Sequence, residues 1–426
     1  MFLKSDENAQ GRSLPYNYIS HPIPFHFDKS LVHQTRNNVA KVISLILNKM
    51  TPSKLLFLCL SLLACFSKCS TTSHDISSTA YAKGSSAGIK GLFIFGSSLV
   101  DNGNNNFLQD SMAKADYLPY GIDFPLGPTG RFTNGKNVID LLGDHLNLPS
   151  LIPAFADPST KGSKIVHGVN YASGASGILD DTGLIAGHVI SLSQQIRNFE
   201  KVTLPELEAQ SGSRSRVVLP KYLFVVGTGG NDYSFNYFLR NPNSNVSDLE
   251  VFTANLTASL SRQLKKLFNL GARKFVLMSV NPLGCSPTVT SNGLACVQGL
   301  NRAAHLFNTH LKSLVDVLKL EMPGSAFVFV NSYKIIRDII RNPNSKGFKD
   351  ASRSCCEVAS VNEGGNGILC KRGGGACAER SSHVYFDGLH PTEAVNAQIA
   401  SKAYESGLKT EVYPTNIKNL VKSCVF

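Results

Sequence analysis

The sequence has no tryptophan and no apolar run long enough to cross a membrane. Its one strongly apolar run, residues 55–66, is much shorter than the about 20 residues that a membrane-spanning helix needs. No Gly-x-Gly-x-x-Gly follows the first apolar strand pattern and no Walker sequence occurs, so nucleotide binding is not expected. The net charge of +12 is spread thinly, whereas nucleic-acid binders concentrate basic residues on one face. The sequence therefore predicts neither a stable membrane anchor nor a nucleic-acid partner.

The short apolar run is typical of a secretory signal peptide. Lys54 precedes it and small polar residues follow it, in the order that such signals show. Because signals stand at the N-terminus of the translated chain, we predict that Met50 is the start and that residues 50–72 form the signal. Residues 1–49 would then be an extension or a mis-assigned start. The alternative is a buried or membrane-anchoring helix.

The ten cysteines support secretion. Cys285 and Cys296 bracket a short loop containing Gly and Pro, which suits a local disulfide. Four more lie in a glycine-rich loop with little apolar material, where disulfides would supply stability and three pairings are open: Cys355, Cys356, Cys370 and Cys377. Cys424 is left over. None of these cysteines has the spacing of a zinc site, so no metal is expected.

Two glycosylation sequons agree with this interpretation. They are Asn245-Val-Ser and Asn255-Leu-Thr, and they are meaningful only in a secreted chain. The signal, the cysteines and the sequons together predict an extracellular protein, with the cell wall as one such location.

Beyond residue 88 the pattern alternates between strands and helices. Five short, continuous apolar runs are typical of parallel strands buried on both faces; they lie at 92–95, 165–171, 222–226, 275–280 and 326–330. Helical patterns lie at about 135–147, 189–201, 248–270, 296–321, 333–341 and 391–406. The alternation predicts an α/β domain over 88–412, with a parallel sheet between helices, and a C-terminal tail at 413–426.

Chemically useful side chains follow three of these strands, at the edge where parallel sheets bind ligands. The first strand runs into "FIFGSSLVDNGNNN" (93–106), where Ser97 or Ser98 is either a nucleophile or part of an ordinary turn. The second runs into "NYASGASGI", whose small residues would let a backbone N–H approach a substrate oxygen. Asn231 follows the third, and its side-chain amide could donate to an oxyanion.

An acid and a base for such a nucleophile stand just before the last predicted helix. His390 follows Asp387 by three residues, so that one loop can hold the carboxylate against the imidazole. On spacing alone, a structural role at the helix start is the better interpretation, because Asp-x-x-His is a weak motif. The ordered set of nucleophile, oxyanion donors and acid–base pair is more specific than any single member.

From about 90 to 410 the chain resembles the plant GDSL-type esterase/lipase family of the SGNH hydrolases. The segments that carry the resemblance are "FIFGSSLVDNGNNN", "GRFTNGKNVIDLL", "GVNYASGASGI", "NPLGCSP", "GGNDY" and "DGLHPTEAVN". The resemblance implies a three-layer, flavodoxin-like α/β/α sandwich with a five-stranded, mostly parallel sheet. It also implies that Ser98 is the nucleophile, His390 the base and Asp387 the acid.

The resemblance further implies an oxyanion hole and shows two departures from the family pattern. The implied donors are the backbone N–H of Ser98, the Asn231 side chain and a glycine, with Gly177 preferred and Gly174 as the alternative. The chain reads Gly-Ser-Ser-Leu, so Ser97 stands where the family has Asp and a charge beside the nucleophile is missing. Phe386 stands where the family has Trp, which keeps the bulk and the apolar character.

The sequence therefore predicts a secreted serine carboxylic-ester hydrolase. It would work through an acyl-enzyme on lipid, polyester or acylated-sugar esters, without a metal or cofactor. An alcohol acceptor in place of water would make it an acyltransferase with the same residues. The rival class is a catalytically silent secreted protein that binds a partner or a glycan. The sequence indicates neither the acyl and alcohol groups nor the oligomeric state.

Overall fold

The computed structural model describes residues 88–241, 246–290 and 295–423. Four predicted features fall on other residues: the extension at 1–49, the signal peptide at 50–72, Asn245 and Cys424. The strands of the described residues are β1 (Gly91–Gly96), β2 (Gly168–Asn170), β3 (Tyr222–Gly227), β4 (Lys274–Met278), β5 (Ala326–Val330), β6 (Asp350–Ser354), β7 (His383–Tyr385) and β8 (Val412–Tyr413).

The same part of the chain forms α-helices of very different lengths. They are α1 (Val138–His145), α2 (Leu192–Asn198), α3 (Leu204–Ser211), α4 (Ser215–Val218), α5 (Gly230–Asp232), α6 (Phe238–Arg240), α7 (Val246–Leu270), α8 (Pro287–Thr290), α9 (Gln298–Glu321), α10 (Ser332–Arg341), α11 (Glu393–Glu405) and α12 (Ile417–Lys422). Two π-helical turns, Phe199–Thr203 and Tyr233–Tyr237, follow α2 and α5.

The central sheet has the strand order β2-β1-β3-β4-β5-β8. The first five of these strands pair in parallel, which confirms the sequence prediction. β8 adds a two-residue strand antiparallel to β5. The predicted boundary at 412 therefore falls inside β8, and α12 within the predicted tail buries Ile417 and Leu420 in the core. β6 and β7 form a separate two-stranded sheet.

Helices cover both faces of the sheet because alternate strand residues point to opposite sides. In β1, Phe93 and Phe95 belong to the core formed with α2, α7 and α9, whereas Leu92 and Ile94 belong to the core formed with α1, α10 and α11. All four side chains are fully buried, and each such burial contributes about 1.5–3 kcal/mol. The described chain is thus the three-layer α/β/α sandwich that the resemblance implies.

The helix predicted at 189–201 is interrupted. α2 ends at Asn198, and a π-helical turn leads into α3, which has Pro205 in its first turn. Proline lacks an N–H and cannot bond to the carbonyl four residues back, so a regular helix does not continue through it. The π-helical turn accommodates the missing hydrogen bond. The helical pattern continues through α3, past the predicted end at residue 201.

Three disulfides join cysteines of the described residues. Cys285–Cys296 confirms the predicted local bridge. In the glycine-rich loop the pairs are Cys355–Cys377 and Cys356–Cys370, which selects one of the three open pairings. Within the ranges described, no helix combines the length and the apolarity needed to cross a membrane. Asn255, the sequon asparagine within the described residues, is exposed on α7.

Candidate active site

Three side chains that are far apart in the sequence meet at the carboxyl edge of the sheet. Nε2 of His390 lies 2.8 Å from Oγ of Ser98, and Nδ1 of His390 lies 2.8 Å from Oδ2 of Asp387. Asp387 is fully buried, His390 is buried and Ser98 is half-buried. Because a carboxylate only accepts hydrogen bonds, Nδ1 carries the proton and Nε2 is left to accept from the Ser98 hydroxyl.

A tight turn after β1 presents Ser98. Gly96 has a φ of +147°, and a Cβ there would lie 2.2 Å from the carbonyl oxygen of Gly227 in β3, so glycine lets the two strands end side by side. The N–H of Ser97 donates to the same carbonyl at 3.0 Å, and that of Val100 donates to the Ser97 carbonyl at 3.0 Å. Across the described residues the N–H of Ser98 has no hydrogen-bond partner, which leaves it available to a substrate oxygen.

The asparagine-rich segment after this turn is structural. Nδ2 of Asn104 donates to the carbonyls of Asn170 at 2.9 Å and Ala172 at 2.7 Å, and Nδ2 of Asn105 donates to that of Gly174 at 3.0 Å. Asn104 and Asn105 are buried, where a hydrogen-bonded amide favours one arrangement of the backbone. These amides attach the loop that carries Ser98 to β2 and to the loop that follows β2, which explains why a buried strand runs into "DNGNNN".

Two buried carboxylates hold the loop after β2 at its two ends. Asp101 accepts from the N–H of Gly174 at 2.8 Å and from two N–H groups of its own loop. Asp232 accepts from the N–H groups of Ile178 and Leu179, each at 3.0 Å. Burial raises the pKa of each carboxyl to about 6, although the hydrogen bonds act in the opposite direction. The loop is thereby fixed between the ends of β1 and β3.

The Asp-x-x-His sequence forms a second tight turn. Oδ1 of Asp387 accepts from the N–H groups of Leu389 at 2.8 Å and His390 at 2.7 Å. The N–H of Phe386 donates to the His390 carbonyl at 2.8 Å, which closes the turn before α11. Phe386 is fully buried and packs on Tyr120, with ring centroids 5.7 Å apart. The backbone thus orients the carboxylate toward the imidazole.

Tyr120 is a site residue that sequence reasoning missed. Its hydroxyl donates to Oδ2 of Asp387 at 2.6 Å, the same oxygen that His390 contacts, and accepts from the N–H of Cys370 at 3.1 Å. Burial, and then the adjacent Asp387, hold the pKa of the Tyr120 hydroxyl well above its usual value, so it stays a donor. The two side chains are 267 residues apart in sequence, and no motif distinguishes Tyr120 from other tyrosines.

Asn231 lies where the sequence predicted a donor. It is buried in α5, shortly after β3, and lines the same cavities as Ser98. Nδ2 of Asn231 donates to the carbonyl of Ser176 at 2.9 Å, which holds the amide in place. Since an amide NH2 carries two protons, one remains for a substrate oxygen.

The two glycines predicted as alternative donors stand on either side of Ala175 in the loop after β2. The N–H of Gly174 is directed to Asp101, and a Cβ on Gly177 would lie 2.5 Å from the Asp232 carboxylate. Neither glycine lines the two cavities at Ser98 that the described residues form. Ala175 between them does, in a left-handed conformation with φ of +64°. The backbone N–H of Ala175 has no hydrogen-bond partner within the described ranges.

Two cavities meet at Ser98, and both are also lined by Asn231, Leu389 and His390. The first, here called the apolar cavity, has a volume of about 200 Å³, and its walls include Met112, Ala113, Phe132, Ala175, Ile185 and Phe235. The second has a volume of about 80 Å³ and is here called the polar cavity for its side chains of Ser97, Thr228, Ser279, Asn281 and Ser286. Most of its wall is nevertheless apolar and includes Val280, Pro282, Leu283 and Ile336. A substrate reacting at Ser98 therefore has two places for its two halves.

Ser97, which replaces the Asp of the family motif, belongs to the wall of the polar cavity. The contacts that join Ser98, His390 and Asp387 do not involve its side chain. Serine in place of Asp at position 97 therefore changes the charge of a cavity wall and leaves the hydrogen bonds between Ser98, His390 and Asp387 intact.

One grouping of metal-type ligands occurs in the described residues, and none of its members lines the two cavities at Ser98. Sγ of Cys355, Sγ of Cys377 and a ring nitrogen of His383 lie within 4.8 Å of one another. The two sulfurs are joined in a disulfide, so they do not offer thiolates to a metal. The residues of this grouping thus serve the covalent structure of the loop.

A serine, an imidazole and a buried carboxylate in one hydrogen-bonded series, beside open cavities, form the arrangement that serine hydrolases use. The sequence model of the GDSL-like Lipase/Acylhydrolase family matches residues 92–403. A GDSL esterase/lipase of Arabidopsis thaliana is 43% identical over 343 residues, which are 77% of this chain and 86% of that protein. Another from the same plant is 40% identical over 337 residues, or 78% of this chain and 91% of that protein. The chain belongs to the GDSL-like lipase/acylhydrolase family and is a carboxylic-ester hydrolase.

Proposed function

We propose that this chain is a secreted serine esterase in which Ser98 forms an acyl-enzyme. The observation that carries the proposal is the series from Ser98 through His390 to Asp387, with both contacts of the imidazole at 2.8 Å. A serine hydroxyl is a weak nucleophile unless an adjacent base takes its proton, and the base must itself be oriented by a third group. In this series His390 is the adjacent base, and Asp387 is the group that orients it.

The reaction proceeds in two halves. Oγ of Ser98 attacks the ester carbonyl carbon while Nε2 of His390 takes the hydroxyl proton, and Asp387 stabilises the imidazolium that forms. His390 then gives the proton to the leaving alcohol as the carbon–oxygen bond of the ester breaks. Water, deprotonated by the same nitrogen, attacks the acyl-enzyme, and release of the acid restores Ser98. With a second alcohol in place of water, the same steps would transfer the acyl group.

Three donors would stabilise the oxyanion of the tetrahedral intermediate. We assign the backbone N–H of Ser98 and the side-chain amide of Asn231, as the sequence predicts. For the third we assign the N–H of Ala175 rather than the predicted Gly174 or Gly177, because Ala175 lines the apolar cavity and its N–H is unengaged in the described ranges. Donors preorganised in this way act where charge develops, and removing one typically costs about 2.7–4 kcal/mol of barrier.

Secretion is supported by the covalent structure. Three disulfides hold loops of the described chain, and such bonds persist in oxidising compartments. N-terminal sequencing of protein recovered from the medium of expressing plant cells tests the processing. We expect a mature N-terminus after residue 72, and recovery of residues 1–49 on the secreted protein would contradict the predicted signal.

A fluorophosphonate probe tests the proposed nucleophile directly. We expect the purified protein to be labelled and Ser98→Ala to be unlabelled, with the adjacent Ser97→Ala still carrying the probe. Mass spectrometry of the labelled peptide distinguishes the two serines. A well-folded protein that takes no label at residue 98 would make the catalytically silent binding protein the better interpretation. Release of free acid from an ester in water, without added alcohol, separates hydrolysis from acyl transfer.

A further inference from the structure

We infer that a groove at the β5–β8 edge of the sheet, here called the basic groove, binds an anionic polysaccharide built of carboxylated sugars. The inference goes beyond the proposed function and does not rest on it. None of the described residues that line the basic groove lines the two cavities at Ser98. The chain thereby gains a polymer-binding surface separate from its candidate active site.

The basic groove is large and long. Its volume is about 900 Å³, against about 200 Å³ and about 80 Å³ for the cavities at Ser98. Its walls come from α9 and α10, which pack on opposite faces of the sheet, together with Phe329 of β5 and Tyr413 of β8. Gln298 and Asp316 of α9 both line it, and they lie about 27 Å apart at about 1.5 Å per helical residue. The groove can therefore accommodate an extended polymer.

The basic groove carries an excess of positive charge. Its fully charged side chains are four bases and two acids: Lys312, Lys334, Arg337, Arg341, Asp316 and Asp338. Lys334 forms an ion pair with Asp338. The other three bases have no carboxylate within ion-pair distance in the part of the chain that the structure describes. Because lysine and arginine keep their charge at neutral pH, the groove attracts anions.

The three bases without an ion pair are placed to meet a ligand. Lys312 and Arg341 are exposed, and Arg337 is half-buried. Nη1 of Arg337 lies 2.8 Å from Sγ of Cys285 and 3.1 Å from Sγ of Cys296. The sulfurs of this disulfide carry no charge, so they hold the guanidinium in position without neutralising it.

Aromatic rings stand beside these charges and fit the rings of a sugar polymer. Tyr333 and Tyr413 line the basic groove and are half-buried, and the His305 ring lies 6.1 Å from that of Tyr333. Nζ of Lys312 lies 4.8 Å from the centre of the Tyr413 ring. A sugar ring presents C–H groups that pack on an aromatic face, and its carboxylate pairs with a cation. Lys312 and Tyr413 offer both contacts at one place.

The two acids of the groove favour a carboxylated sugar over a nucleic acid. Asp316 accepts from the Tyr413 hydroxyl at 2.8 Å, and Asp338 pairs with Lys334. Duplex DNA carries one negative charge per about 1.7 Å, and some of those phosphates would face the two carboxylates. A polymer with one carboxylate per sugar places hydroxyls between its charges, and a hydroxyl can donate to Asp316 or Asp338.

The first experiment measures the Kd of the full chain for polygalacturonate by calorimetry. Two probes separate charge from sugar: the same polymer fully methyl-esterified, and polyglutamate with the same number of carboxylates. We expect polygalacturonate to bind about tenfold more tightly than its methyl ester, the combined effect of three exposed ion pairs. It should also bind about threefold more tightly than polyglutamate, which has no rings to pack on the tyrosines. Its affinity should fall as salt is added.

A pair of double variants locates the binding. Lys312→Gln with Arg341→Gln removes two positive charges from the basic groove, and we expect the Kd for polygalacturonate to rise about three- to tenfold. Lys161→Gln with Arg262→Gln is the matched control, because both residues are exposed, line neither the groove nor the cavities at Ser98, and change the net charge equally. The control should bind as the wild type does.

A third variant tests the packing of sugar on an aromatic ring. Tyr333→Leu keeps an apolar side chain against the core and removes the ring. We expect the Kd for polygalacturonate to rise about two- to fivefold while the Kd for polyglutamate stays the same. Hydrolysis of a soluble ester should be unchanged in all of these variants, because the substitutions lie outside the cavities at Ser98.

The outcomes separate the inference from the proposed function. No binding of polygalacturonate, or equal weakening in the two double variants, overturns the basic groove as its site. Equal binding of the methyl ester overturns the role of charge. Equal binding of polyglutamate, or tighter binding of single-stranded DNA, overturns the sugar as the ligand. Polygalacturonate binding by a protein that takes no fluorophosphonate label would refute the proposed function and leave the inference standing.

Discussion

Replacing Tyr120 with Phe tests whether its hydroxyl, which donates to Asp387, tunes the proposed base His390. The substitution keeps a ring that packs on Phe386 and removes the donor that lies 2.6 Å from Oδ2 of Asp387. Without that donor, less of the negative charge of the carboxylate is neutralised, and the carboxylate stabilises the protonated form of His390 more strongly. The base is active only when unprotonated, so the acid limb of the kcat/KM profile moves to higher pH.

The size of the shift follows from the contacts of the carboxylate. A hydrogen bond to a charged acceptor contributes about 1.5–3 kcal/mol, and about 1.36 kcal/mol corresponds to one pH unit. Asp387 keeps its hydrogen bonds from the N–H groups of Leu389 and His390, so only part of the effect reaches the imidazole. We expect an upward shift of about half to one pH unit and a loss of stability of about 1–3 kcal/mol, since the N–H of Cys370 also loses its acceptor.

The assay is kcat/KM on one soluble ester from pH 4 to 9, with unfolding by urea measured in parallel. Tyr117→Phe is the matched control: Tyr117 contacts the Tyr120 ring and donates to the Cys370 carbonyl at 2.9 Å, but has no hydrogen bond to Asp387. The control should lose stability and keep the limb in place. A Tyr120→Phe profile that is lower at every pH, with an unmoved acid limb, would show that Tyr120 only packs.

Two further predictions concern Asn231 and Asp101. Asn231→Ala should lower kcat by about 10²- to 10³-fold with little change in the urea midpoint, and an unaltered rate would remove Asn231 from the mechanism. Asp101→Asn replaces a carboxylate whose buried pKa is about 6, against about 3.9 in an unfolded chain. Because the folded carboxyl keeps its proton to higher pH than the unfolded one, the wild type should lose stability relative to this variant as the pH rises from about 4 to about 6. Urea unfolding at several pH values measures the difference, and parallel curves for the two proteins would contradict it.

The parts of the fold that were predictable are those with strong local patterns. β1, β3 and β5 are continuous apolar runs, and their bounds in the structure lie within about one residue of the prediction. β2 is shorter than the predicted 165–171, because a 3-10 turn occupies Gly162–Ile165 and the strand pairs with β1 over three residues. An apolar run indicates that a segment is buried, but burial alone does not distinguish a strand from a turn.

The residues of the candidate site differ in the same way: some have a local sequence pattern, and others do not. Ser98 follows the end of β1, and Asp387 and His390 stand within one turn. Topology and spacing therefore make all three predictable from the sequence. Tyr120 reaches the site from an irregular loop and is recognised only by its hydrogen bond to Asp387. The loop after β2 is rich in small residues, and its sequence does not reveal which of its N–H groups donate to Asp101 and Asp232.

The separation of Ser98 and His390 by 292 residues has a consequence for the cell that makes this chain. Synthesis runs from the N-terminus, so the proposed nucleophile is translated early and its proposed base arrives near the end. A growing chain on the ribosome therefore holds an inert serine until almost the whole domain has emerged. Fragments cut anywhere between the two residues and then separated are equally harmless to the esters of the producing cell's own membranes.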